Sequence, residues 1–152
     1  MTITAERNTE LEQLFAEHRL GLTRLAHVIV GSNARAQELV QEAFIRYARA
    51  SGVREPVAYL RTILVNLCRS EVRRAARPLP LPDPALSPDE PVLDETWHAL
   101  QRLPIRYRTA LALRFYVDMS EAQIAEQMEC RPGTVKSLIH RGLELLRKEL
   151  GS

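Results

Sequence analysis

Six of the nine prolines in this chain fall between Pro78 and Pro91. At Pro78, Pro80, Pro82, Pro84, Pro88 and Pro91 the backbone has no amide proton and φ is fixed, so a helix cannot cross the stretch and an extended, semi-rigid connection is expected. Whatever folds must therefore fold on either side of it. Three segments follow: residues 1–77, a proline-rich linker over 78–93, and residues 94–152. Charge divides along the same lines. Residues 1–77 hold 12 basic and 8 acidic side chains, residues 78–96 hold 0 and 5, and residues 97–152 hold 9 and 6, giving local net charges of +4, −5 and +3. The whole-chain charge of +2 conceals this alternation. Two basic blocks flanking an acidic tether suit two nucleic-acid-binding modules on a linker that stays off the nucleic acid, and they also suit solvated helix faces beside a soluble tether.

With 45% hydrophobic residues in 152, the chain can bury one modest core or two small ones. Apolar residues at Leu11, Leu14, Phe15, Leu22, Leu25, Ala26 and Ile29 have the three-and-four spacing of an amphipathic helix that stops at Gly31-Ser32-Asn33. A second helix is expected from Ala34 to about Ala50 on Ala36, Leu39, Val40, Ala43, Phe44 and Tyr47, closed by Ser51-Gly52. A third runs from about Val57, burying Leu60, Ile63, Leu64, Leu67 and Cys68 and presenting Arg61, Asn66, Arg69, Arg73 and Arg74 on its other side. Beyond the linker, Asp94–Leu103 reads as a short helix anchored by Trp97 and Leu100, and Pro104 can open the next, which ends near Val117-Asp118. Ser120 precedes Gln123 by three residues, the spacing of a capping box, ahead of the stripe Ile124, Ala125 and Met128. After Glu129-Cys130-Arg131, Pro132 starts a final helix with core positions Val135, Leu138, Ile139, Leu143, Leu146 and Leu150. No run alternates with period two long enough for a strand. The expected fold is all-α, with three helices before the linker and four after it.

Ser120–Leu146 has the layout of a helix-turn-helix. A helix can be read in a major groove only if its first turns offer donors to base edges and phosphates, and here Arg131, Thr134, Lys136, Ser137, His140 and Arg141 do so. A packed helical pair with a charged solvent face has the same pattern. On the third helix Arg61, Arg69, Arg73, Arg74 and the following Arg77 form a basic stripe suited to phosphates or to solvent, and Asn66 among them offers a donor and an acceptor together. Catalysis finds little support: the sequence has no glycine-rich phosphate loop, HExxH motif, nucleophile elbow or paired cysteines. His18, His27, His98 and His140 are scattered, and Cys68 and Cys130 lack partners at ligand spacing, so neither a metal nor a cofactor is expected and the cysteines read as small hydrophobes of a reducing cytosol. The N-terminus lacks a signal-peptide core, and no stretch approaches the roughly 18 apolar residues of a membrane span, so a cytoplasmic location and no membrane partner are expected.

With those pieces placed, the sequence resembles the extracytoplasmic-function group of bacterial sigma factors over nearly its whole length. ARAQELVQEAFIRYARA resembles the helix of region two that docks on core polymerase, and AYLRTILVNLCRSEVRRAAR resembles the promoter-melting helix. LQRLPIRYRTALALRFYVDMSEAQIAEQMECRPGTVKSLIHRGLELLRKEL resembles region four, with GTVKS followed by an arginine as its most specific motif. The resemblance implies a non-enzymatic factor that directs core RNA polymerase to promoters. Glu38, Gln41, Glu42 and Ile45 would meet the beta-prime clamp, and region four the beta flap. A loop at Gly52-Val53-Arg54-Glu55-Pro56, with Tyr59, Arg61, Asn66, Arg69, Arg73 and Arg74, would read and melt the minus-ten element, taking a flipped base into a pocket. Arg131, Gly133, Thr134, Lys136, Ser137, His140 and Arg141 would meet the minus-thirty-five element, and an anti-sigma factor is a further implied partner. Departures from the family pattern are Glu38 for Asp, Tyr59 for Trp, Leu138 for Arg, and Gly142 for Ala, the last expected to loosen its helix by up to about 1 kcal/mol. The competing reading is a stand-alone helix-turn-helix regulator, which leaves residues 1–77 without a purpose.

Overall fold

A computed structural model describes residues 2–74 and 95–151. The expected linker over 78–93 lies outside them, as does Arg77. Seven helices form and no strand does among the described residues: α1 (Thr2–Val30), α2 (Asn33–Arg49), α3 (Pro56–Arg74), α4 (Glu95–Arg102), α5 (Ile105–Phe115), α6 (Glu121–Gln127) and α7 (Pro132–Gly151).

The first three helices pack on one another as a unit. Its centre is the C-terminal half of α1, where the five consecutive residues Leu25, Ala26, His27, Val28 and Ile29 are all buried. A helix covered on one side leaves part of each turn in solvent, so five buried in a row require cover on two sides. Helices α2 and α3 supply one side, and α4 and α5 the other. The two helical units are thus packed against each other along α1, an arrangement that reading them as beads on a linker does not anticipate.

Helix α1 begins at Thr2, nine residues before the expected Leu11. Residues 5–10 are exposed, so no apolar stripe signals this turn-and-a-half, and Ala, Glu and Arg sustain it by propensity. It is also tied down: the Arg7 guanidinium donates to the carbonyls of Ala48, at 2.9 Å, and Ala50, where α2 runs out of helical partners. Gly31 ends α1 with φ +83°, and its N–H reaches the carbonyl of His27 at 2.8 Å. Ser32 then caps α2, its hydroxyl accepting from the Arg35 N–H at 3.2 Å.

Arg35 also joins α2 to α3. Its Nε and Nη2 donate to the two carboxylate oxygens of Glu71 at 2.7 and 2.6 Å, a bidentate pair, while Nη1 donates to Glu38. That guanidinium holds the Glu71 carboxyl below its ordinary range.

In the second unit, α5 ends at Phe115, two residues short of the expected Val117-Asp118. The Met119 N–H turns back to the Leu113 carbonyl at 3.1 Å, made possible by Asp118 at φ 55°. The buried guanidinium of Arg108 closes α4, donating to the carbonyls of Gln101 at 2.9 Å and Leu103 at 3.3 Å; burial pushes its pKa down to about 10. On α7, Val135 and Leu138 are buried and Ile139, Leu143 and Leu146 partly so, whereas Leu150, expected in the core, is exposed in the last turn. Gly142 is buried, and a Cβ there would meet Leu111 Cδ1 and Cγ at 3.2 Å. Rather than only loosening the helix, this glycine lets α7 close on α5.

Two outcomes follow. Glu71→Gln should lower stability by about 1 kcal/mol, the pair being partly solvent-screened. Because the Glu71 pKa is depressed, its contribution is present above the ordinary value of 4.5 and is lost as pH falls below it. Thermal melts between pH 3 and 7 should therefore fall off less steeply at the acid end for the variant than for the parent. At Gly142, Val should destabilise by about 1–3 kcal/mol in urea unfolding, since overpacking against Leu111 outweighs glycine's poor helix propensity, while Ala should fall within about 1 kcal/mol of the parent.

Candidate nucleic-acid interface

Helix α6 starts with the expected capping box: the Gln123 N–H donates to Ser120 Oγ at 3.1 Å and the Ser120 N–H to Gln123 Oε1 at 2.9 Å. Ile124, Ala125 and Met128 are buried. The turn is made by Glu129 at φ 53°, after which the Cys130 N–H bonds the Ala125 carbonyl at 2.9 Å. The Arg131 carbonyl accepts from Thr134 at 2.9 Å and Val135 at 3.2 Å, so α7 begins with Pro132 at its first position, where a missing N–H does no harm.

The result is a clean division of α7. Arg131, Gly133, Thr134, Lys136, Ser137, His140 and Arg141 are all exposed, while Val135 and Leu138 face the core. Leu138, at a position where the resemblance implies an arginine, is therefore a packing residue. His140 pairs with Glu144 at 3.1 Å one turn on, which places a carboxylate beside the basic face. Such a face, projecting from a short capped helix through a tight turn, can enter a groove and donate hydrogen bonds to bases and phosphates.

The second group of residues surrounds the start of α3. Gly52 bends the preceding loop with φ +70°, Val53 is half-buried, and Arg54 and Glu55 are exposed. The Glu55 carbonyl accepts from the Tyr59 N–H at 3.0 Å, opening the helix. Tyr59 is 41% exposed and stands edge-on to Tyr47 of α2, ring centres 6.1 Å apart. An aromatic ring held against a neighbour and partly exposed can stack on an unpaired base. Asn66, Arg73 and Arg74 are exposed. Arg61 and Arg69 are half-buried, and burial lowers the pKa of both, with Arg73 adding to the effect at Arg69 and Glu129 and Cys130 opposing it. The basic stripe is thus covered in part, and beside Arg61 and Thr62 the cleft is lined by Gln123, Glu126 and Gln127 of α6. Thr62 Oγ1 lies 3.1 Å from Gln127 Oε1, and Gln127 is buried with its Nε2 unpartnered. Sequence reasoning passed over Gln127; a glutamine at the end of a helix carries no sign of what it faces.

The third group lies on the outward side of α2. Gln41, Glu38 and Ile45 are exposed and Glu42 half-buried. Arg35 holds Glu38, and Arg46, which the sequence did not single out, holds Glu42 at 3.0 Å. Ile45, 47% exposed, makes an apolar centre within a charged rim, the usual composition of a protein-binding patch.

Chemistry of other kinds has little to build on. Among the described residues no three His, Cys, Asp or Glu side chains are grouped to hold a metal, and no helix is long and apolar enough to cross a membrane. Cys68 is buried and its thiol pushed up to about 12, chiefly by burial; neither it nor Cys130 is in a disulfide.

Comparison with known proteins places the chain in a family. The Sigma-70 region 2 family matches residues 14–78 and the Sigma-70, region 4 family matches residues 93–146. The chain is 35% identical to an RNA polymerase sigma-E factor of Streptomyces avermitilis, over 94% of this chain and 86% of that one. It is 32% identical to the ECF RNA polymerase sigma factor SigL of Mycobacterium tuberculosis, over 93% and 90%. Among solved structures, the sigma factor RpoE of Bartonella quintana, in complex with the anti-sigma factor NepR, shares the fold at a TM-score of 0.74 and 22% identity, covering 93% of this chain and 97% of that one. A stand-alone regulator would leave the region 2 match unexplained. The chain belongs to the sigma-70 family, in the extracytoplasmic-function group of RNA polymerase sigma factors.

Proposed function

We propose that the three exposed surfaces divide the work of transcription initiation in the cytoplasm, with the protein acting by binding and not by catalysis. Residues 1–77 anchor core RNA polymerase and engage the minus-ten element, residues 78–93 bridge, and residues 94–152 hold the minus-thirty-five element. The observation that carries this is the sorting of the helix-turn-helix, whose seven candidate contacts, Arg131 in the turn and six on α7, are all exposed while Val135 and Leu138 between them are buried. Glu38, Gln41, Glu42 and Ile45 meet the polymerase clamp, and the second unit meets the flap. Val53, Arg54, Glu55, Tyr59 and Asn66 hold one base extruded from the duplex. Extrusion costs a few kcal/mol, offset only when the right base fills the pocket, so recognition and melting become one event. Arg61, Arg69, Arg73 and Arg74 hold the phosphates around it. An anti-sigma factor is a further partner in this reading, as one is for the Bartonella quintana relative.

Core binding provides the first test. Gln41→Ala combined with Glu42→Ala should weaken the complex with core polymerase by about tenfold or more with helical content unchanged; the loss of two contacts near a patch centre is on the order of 1–2 kcal/mol. Undiminished binding would reassign the surface. Base reading provides the second, in fluorescence-monitored binding of the holoenzyme to promoter variants at two salt concentrations. Lys136→Ala, near the start of α7, should lose roughly 1–3 kcal/mol and relax preference at particular base pairs. Arg141→Ala should weaken all sequences alike and lower the salt slope by about one.

A further inference from the structure

The outward residues of the helix-turn-helix are uneven in what they can offer a base. Arg131, Lys136 and Arg141 donate hydrogen bonds and accept none, and the hydroxyls of Thr134 and Ser137 turn either way. His140 differs from them, because one of its ring nitrogens can be fixed as an acceptor. What fixes it is Glu144. The two are four residues apart on an exposed ridge that begins at Lys136, and long side chains on a helix lean toward its N-terminus, so Glu144 leans back over His140. Its Oε1 lies 3.1 Å from His140 Nε2. Arg141 and Lys148 border the same shallow hollow as Glu144, and their positive charge offsets that of the carboxylate on a face that must approach DNA.

A proton sits more favourably between an imidazole nitrogen and a carboxylate than on the far side of the ring. The neutral ring of His140 therefore carries its hydrogen on Nε2, toward Glu144, and leaves Nδ1 bare as an acceptor. In the major groove the donors that match an acceptor are the amino groups, N6 of adenine and N4 of cytosine, whereas lysine and arginine match O6 and N7 of guanine and O4 of thymine. Each base pair has one amino and one keto base, so an acceptor dictates which strand carries the amino base. Without Glu144 the ring is free to turn its Nε2–H outward, which favours the opposite orientation.

We propose that Glu144 is a positioning residue for promoter recognition: held against His140, it makes the ring an acceptor and so selects adenine or cytosine over guanine or thymine at one position of the minus-thirty-five element. The proposal rests on the reading of α7 as the minus-thirty-five surface. A first test needs no DNA. Nitrogen-15 NMR of the free full chain at pH 8, which favours the neutral ring, should show hydrogen on Nε2 of His140 and none on Nδ1; hydrogen on Nδ1 would overturn the proposal. Reading is then measured with the holoenzyme, by fluorescence-monitored binding to promoters in which each minus-thirty-five base pair is replaced in turn by the alternatives. The parent should prefer the amino base on one strand by about three- to tenfold at one pair. Four residues of helix rise about 6 Å, so that pair should lie about two from the one at which Lys136→Ala relaxes preference. Glu144→Ala should abolish or reverse the preference, and Glu144→Gln, whose amide oxygen can still accept from Nε2–H, should retain it in part. His140→Ala should abolish it too, and adding Glu144→Ala to His140→Ala should change nothing further at that pair. A preference that survives Glu144→Ala, or one that Glu144→Ala still alters when His140 is gone, overturns the positioning role while Lys136→Ala continues to relax its own pair. If instead no substitution on α7 alters preference at any pair, the reading of the helix fails and the proposal falls with it.

Discussion

Burial of five successive residues on α1, Leu25 to Ile29, is the constraint from which most of this architecture follows. A helix segment with no solvent side must be surrounded, and a chain of this size has just enough helix to do so. With α2 and α3 on one flank and α4 and α5 on the other, α1 becomes a shared wall between two units that the sequence divides with a proline-rich stretch. Its end is accordingly well defined: Gly31 turns the chain, Ser32 caps the next helix, and the Val28 carbonyl is taken by Gln101 from across the boundary.

The surfaces proposed to bind polymerase and DNA sit at the periphery of this packing, on helices whose positions are set by caps and turns. The capping box of α6, the left-handed Glu129 and the first-turn Pro132 fix where α7 starts, and hence which residues fall outward. On α2 the same role falls to Arg35, which engages Glu71 with one edge of its guanidinium and Glu38 with another, joining a structural pair to the proposed polymerase-facing surface.

Helix order, the capping box, the first-turn proline of α7 and the outward set on that helix were all legible from residue type and spacing, because each is a local property of a few neighbouring positions. What escaped was of two kinds. Residues 5–10 carry no apolar stripe, so their helix rests on propensity and on the long-range contact of Arg7, neither of which periodicity could find. Contacts between distant segments were equally silent: nothing at Gln101, Gln127 or Arg7 declares a partner 73, 65 or 41 positions away. Gly142 was visible as a helix-weakening residue, but its use as a site of close approach depends on Leu111, which only the fold supplies. Arg61 and Arg69 were legible as basic and helical, and their partial cover belongs to the same class of long-range fact.

The strict sorting of α7 has an evolutionary consequence. Its inward positions, Val135, Leu138 and Gly142, recur at three- and four-residue intervals, and none of them is among the seven outward ones. In the proposed reading, stability and sequence preference are therefore written on separate letters of the same segment. A lineage could exchange the outward residues several at a time and acquire a different set of target genes while the packing against α5 and α6 stayed as it was. Duplicated copies of such a gene could diverge in regulon without passing through an unfolded intermediate, a freedom denied to any protein whose specificity residues also hold up its core.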